Sequence, residues 1–109
     1  MLTDKERRAV HQFVRSIRAS SVGPSIKDVK LFGSKAKGTG TSESDIDVLV
    51  IVETADPNVR TDIVDLAFET NLDFDVYISP RVVPSDAFSH PIWSRTLFIR
   101  NLQNEAIPL

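Results

Sequence analysis

The apolar run at residues 48–52, Val-Leu-Val-Ile-Val, constrains the fold more than any other stretch. It is β-branched and apolar at successive positions, so both faces of the strand it forms must be covered, as in the centre of a sheet with helices on either side. Asp45 and Asp47 stand directly before it. Strand side chains alternate with a period of two, so the two carboxylates point to one face, roughly 7 Å apart along the backbone. Like charges this close repel, and at the mouth of a buried strand they are costly without a cation. A hard divalent ion, Mg²⁺ or Mn²⁺, held by carboxylates and completed by phosphate oxygens, answers that cost.

A second feature lies just upstream. Residues 26–32 alternate well enough for a strand and deliver Gly33-Ser34 at its end. Gly33 permits a tight turn and close backbone approach, and the Ser34 hydroxyl with neighbouring N–H groups suits a phosphate. A short helix starting near Ser34 would add its positive end, with Lys35 and Lys37 near the same anion. A cation site beside a phosphate cradle is the apparatus of phosphoryl or nucleotidyl transfer. Asp-x-Asp or Gly-Ser alone is a weak signal; the informative feature is their joint spacing around two strands.

The joint pattern, GSKAKGTGTSESDIDVLV, resembles the signature of the nucleotidyltransferase superfamily typified by DNA polymerase beta, and most closely its small stand-alone minimal nucleotidyltransferases. The resemblance implies an α/β (α+β) fold with a small mixed sheet and helices in the order αβαβαβα. It also implies that Asp45 and Asp47 hold two Mg²⁺ ions and that the Ser34 cradle fixes the phosphates of a nucleoside triphosphate, ATP by preference. A third acid on a neighbouring strand would serve as metal ligand and general base. Asp75 is the choice for that role, with Asp73 in reserve. If the segment is instead registered on its Ile-Ser-Pro ending, the position falls on Tyr77, which cannot do that job. Family members are often paired with small helical HEPN proteins as toxin–antitoxin modules, in which the nucleotidyltransferase is the antitoxin. Transfer of AMP to such a partner is therefore one expectation, and a binding module that neutralises the partner by contact alone is the other.

Composition narrows the setting. A chain of 109 residues is read as one domain, 1–109, with ordinary apolar and charged content. With no cysteine, disulfides and thiolate metal sites are excluded, which fits the cytoplasm. No apolar run reaches membrane-spanning length and the N-terminus lacks a signal-peptide core, so no membrane is expected. The net charge of −2 argues against a grip on long nucleic acid and favours a small nucleotide or a protein.

The remaining segments read as scaffold. Thr3 and Glu6 form a capping-box pattern opening an amphipathic helix over residues 4–20, with Val10, Phe13, Val14 and Ile17 inward. Arg7, Arg8, Arg15 and Arg18 line its outer face, as a solvated surface or as a docking surface for an acidic partner. His11 and His90 are read as surface or structural. Glu43 is read as a solvent-facing loop residue, a further acid being the alternative. Asp56-Pro57 starts a second helix to about residue 70, with Asn71 as C-cap. Residues 72–79, LDFDVYIS, alternate strictly and read as a strand ended by Pro80. Beyond Ser85 a helical stretch is broken at His90-Pro91, and a last helix over about 92–104 carries more apolar surface than one stripe needs. Trp93 and Phe98 are expected in the core, with part of this helix a possible subunit contact in a homo-oligomer.

Overall fold

A computed structural model describes residues 2–41 and 44–109. Helix α1 (Asp4–Ala19) begins with the expected capping box: the Thr3 hydroxyl accepts from the Glu6 N–H, and the Glu6 carboxylate accepts from the Thr3 N–H. After a turn of 3₁₀ helix, strand β1 (Ile26–Phe32) leads into the short helix α2 (Gly33–Lys37). Strand β2 (Ile46–Val52), helix α3 (Pro57–Phe74) and strand β3 (Ile78–Pro84) follow. Two 3₁₀ turns, helix α4 (Leu97–Glu105) and a short strand β4 (Ile107–Pro108) complete the chain.

The sheet has the order β3-β2-β1-β4. β2 runs antiparallel to β1 and parallel to β3, so the sheet is mixed, and β4 covers the far edge of β1. The central position of β2 accounts for its continuous apolar run. Val48, Val50 and Val52 point to the face packed by α1 and α3, with Phe13, Ile17, Val29, Ile63 and Ala67. Leu49 and Ile51 point to the other face, with Ala87, Ile99 and Leu102. Burying a side chain of this size contributes about 1.5–3 kcal/mol, which places much of the fold's stabilisation on this one strand.

Two expectations from sequence are corrected. Of residues 72–79, expected as a strand, only Ile78 and Ser79 are in one, as the start of β3; residues 72–74 are helix. α3 continues to Phe74, because Ile63, Ala67, Thr70 and Phe74 extend one helical stripe onto the core. Asn71 does not cap the helix; its side chain accepts from the Ile78 N–H and donates to the Ile78 carbonyl, fixing where β3 begins. Pro80, expected to end a strand, lies inside β3. That is tolerated because β3 is an edge strand, where a missing N–H costs no ladder bond. The second correction concerns the last helix. It starts at Leu97, with residues 93–95 in a separate 3₁₀ turn, and Trp93 and Phe98 are exposed rather than buried. Ile99 and Leu102 are the residues that anchor it. Among the described residues, no helix is long and apolar enough to cross a membrane.

Candidate active site

The site is assembled where β1 ends and β2 begins. Phe32, the last residue of β1, pairs with Asp47, and on the other side Asp47 pairs with Ser79 of β3. Asp47 therefore projects from the middle of three strands. Asp45 precedes β2 by one residue, is exposed, and shares the face of Asp47. Asp47 is partly buried. Burial, and then the charge of Asp45, push its carboxyl above the usual range, and the Arg81 guanidinium only partly offsets them. The pair thus has the unmet demand for positive charge that its spacing in the sequence implies.

Gly33 closes the site from the β1 side. Its φ of +72° is one that side chains with a Cβ rarely adopt. A Cβ there would also lie 2.3 Å from Oδ2 of Asp47. The glycine is required twice over, by backbone conformation and by the carboxylate against it. The turn it makes opens α2, and the Ser34 carbonyl then gathers the N–H groups of Gly38, Thr39 and Gly40. The Ser34 hydroxyl makes no hydrogen bond to any described residue and is free to bind a ligand.

The two lysines of α2 are placed differently from the sequence expectation. Lys35 is buried; its Nζ pairs with Glu6 at 3.0 Å and donates to the Thr41 carbonyl at 2.7 Å. Burial of Glu6 raises its pKa, but bonds from Thr3 and the charge and hydrogen bond of Lys35 outweigh it, leaving the carboxyl below its ordinary value. Lys35 therefore ties the loop after α2 to the first turn of α1. Lys37 is exposed and pairs with Glu105 of α4 at 3.2 Å.

Asp75 is not on a strand. It caps α3 in the left-handed conformation, φ +54°, and its carbonyl accepts from Lys5 Nζ. It is exposed, and it lines a cleft of about 200 Å³ with Ser44, Lys5 and Tyr77. The ladder between β2 and β3 continues one step past its last pair, through the Ile46 N–H to the Tyr77 carbonyl, which puts Tyr77 beside Asp45. Asp73 is exposed on the last turn of α3. Among the described residues, no three acidic or imidazole side chains gather as a metal-ligand set. Glu43 lies outside the described residues.

Two features were not singled out from the sequence. Arg81 tempers Asp47 from β3, and its place follows from the β3 register, which the alternation of residues 72–79 does not reveal. A second cleft of about 200 Å³ adjoins Gly33, lined by Phe32, Lys37, Phe98 and Asn101; the rings of Phe32 and Phe98 meet edge to face at 6.4 Å. It forms only when α4 folds over the end of β1, a contact no local pattern encodes.

A family model described as a nucleotidyltransferase domain matches residues 11–107. A Methanocaldococcus jannaschii protein named "Putative protein adenylyltransferase" is 35% identical over 101 residues, covering 92% of this chain and 93% of its own. Among solved structures, a crystal structure described as "the toxin-antitoxin with AMP-PNP" superposes with a TM-score of 0.58 at 20% identity, over 97% of this chain and 72% of its own. A "putative nucleotidyltransferase" from Sulfolobus solfataricus superposes at 0.51 and 16% identity, over 82% and 81%. The two structures share the fold, and the sequence matches reach further. With Asp45, Asp47 and the Gly33-Ser34 turn brought to one edge of a mixed sheet, the chain belongs to the nucleotidyltransferase domain family and is an enzyme of that class.

Proposed function

We propose that the protein transfers a nucleoside monophosphate, AMP by preference, from a nucleoside triphosphate to a hydroxyl of a partner protein, in a divalent-metal-dependent reaction. The observation that carries this reading is Asp47, its charge disfavoured by burial and by neighbouring Asp45, set against the left-handed glycine turn at Gly33. The residues present fit Mg²⁺ or Mn²⁺: two carboxylates of hard oxygen donors, one with its charge poorly compensated by its own chain. When bound, the metal would neutralise phosphate charge and make an attacking hydroxyl more acidic.

The chain's own residues do the rest. Asp45 and Asp47 hold the cation. The uncommitted Ser34 hydroxyl and the opening N–H groups of α2 orient the terminal phosphates. Lys35 holds the phosphate loop in place from behind and does not touch the nucleotide. The cleft beside Gly33 takes the nucleoside, with Phe32 and Phe98 offering ring faces and Asn101 an amide. The cleft on the other side, with Tyr77 and Asp75, receives the acceptor. Asp75 is the carboxylate available there to take the hydroxyl proton as the new ester forms at the α-phosphorus and pyrophosphate leaves.

The protein relative's name and the toxin–antitoxin neighbour support a protein acceptor, for which a small helical HEPN-type toxin is the proposed partner and antitoxin the proposed role. A second reading has one observation in its favour: the described residues bring no third carboxylate to Asp45 and Asp47. On that reading the chain binds the metal–nucleotide but neutralises its partner by contact.

Thermal shift with Mg²⁺ and AMP-PNP, followed by transfer of labelled AMP to a co-expressed partner, separates these. The proposal expects a Tm rise, reflecting about 2.7 kcal/mol of added stability at a hundredfold excess over Kd, and label on the partner. Both should be lost in Asp47→Asn, with transfer down at least about 100-fold. A Tm rise without label, with neutralisation surviving in Asp47→Asn, establishes contact neutralisation. No shift with either magnesium or nucleotide refutes both.

A further inference from the structure

We propose that the chain associates with a second copy of itself through the outer faces of α1 and α3, about a two-fold axis along the seam between these helices. The inference does not depend on the reaction. It begins with a stripe on the side of α3 turned away from the sheet. Val64, Phe68 and Leu72 recur every fourth residue, form one line along the helix, and are 45%, 62% and 69% exposed. Three large apolar side chains in a row on an open helix face mark an interaction surface more often than a solvated one.

Charge identifies the occupant. α3 carries Asp62, Asp65, Glu69 and Asp73 against Arg60, a net of −3. α1 carries Lys5, Arg7, Arg8, Arg15 and Arg18 against Asp4 and Glu6, a net of +3. Among the described residues, none of the α1 arginines and none of the α3 acids makes an ion pair within the chain. The two helices lie side by side on one face of the sheet. Each molecule therefore presents a basic half beside an acidic, apolar half. A two-fold axis running along the seam lays the α1 of one copy over the α3 of the other, and the reverse, so opposite charges meet at both places and the α3 line is covered by the arginine stems of α1. An axis across the helices would set like charges together. A basic partner of another kind would cover α3 and leave the arginines unmatched. Arg8 and Arg15, opposite the buried side of α1, would flank the Val64–Phe68–Leu72 line of the other copy. Asp45 and Asp47 open on the opposite face of the sheet and remain accessible.

Sedimentation equilibrium at micromolar concentration and low salt tests this, with circular dichroism to confirm folding. Wild type is expected to be dimeric, and more weakly so as salt rises. Phe68→Ala should weaken the dimer by about 30-fold or more. Arg8→Glu/Arg15→Glu should be monomeric alone, as should Asp65→Lys/Glu69→Lys. Mixing the two double variants should restore dimers, because each copy then supplies what the other lacks. A monomeric wild type, dimerisation undisturbed by the reversals, or a mixture no more associated than its components would each overturn the proposal.

Discussion

Asp47 carries a charge that its surroundings disfavour, and this has a measurable sign. Burial and Asp45 raise its pKa above the ordinary 3.8, so the folded chain binds that proton more tightly than the unfolded chain does. Its contribution to stability is present below about pH 4 and is lost as the pH rises through the raised value. At neutral pH and without metal, Asp47→Asn should therefore melt above wild type. The gap should close on acidification towards pH 4, and magnesium should narrow it from the other side. Glu6 runs the opposite way: its lowered pKa contributes stability above its ordinary 4.5 that is lost as the pH falls. Differential scanning fluorimetry across this range on both single variants, Asp47→Asn and Glu6→Gln, separates the two slopes. Gly33→Ala should cost about 2–3 kcal/mol in stability, from left-handed strain together with the carboxylate contact, and should disable nucleotide binding.

At the scale of elements, the passage from α3 to β3 is where sequence and structure part. The capped α1, β1 with its terminal Gly-Ser, and the doubly buried β2 were all legible, because each carries one periodicity over its whole length and has its own start or stop signal. Residues 72–79 fit two periods at once. Phe74, Val76 and Ile78 alternate as in a strand, yet Phe74 also completes the helical stripe through Ile63, Ala67 and Thr70. Packing against the core decided for the helix. That choice is why the carboxylate pair and its turn could be read from local spacing, while the places of Arg81, Asn101 and Asp75 could not. The three depend on which segments meet across the sheet. Asp75 offers a clean test of what its position does. Asp75→Gly should raise stability by about 0.5–1 kcal/mol by relieving the left-handed cap. Asp75→Asn, which keeps the backbone preference and removes the charge, should leave stability unchanged and abolish transfer if this carboxylate accepts the proton. Full activity in both variants would leave Asp75 as a helix cap only.

Over the molecule as a whole, the sheet divides the labour. One side, under α1 and α3, holds the larger core and presents the segregated charges. The other, under α4, opens at the end of β2 to the carboxylates and the cleft beside Gly33, while the cleft with Asp75 and Tyr77 borders the first turn of α1. Lys35 spans these sides, since its ammonium is sealed between the first turn of α1 and the loop beyond α2. An amine so enclosed cannot meet a reagent in solution. Brief treatment with an acylating agent, read by peptide mass spectrometry, should modify exposed Lys5, Lys27 and Lys37 within the pulse and spare Lys35. The rate at which Lys35 finally reacts then becomes a clock for the parting of loop and helix, and added magnesium and nucleotide should slow it.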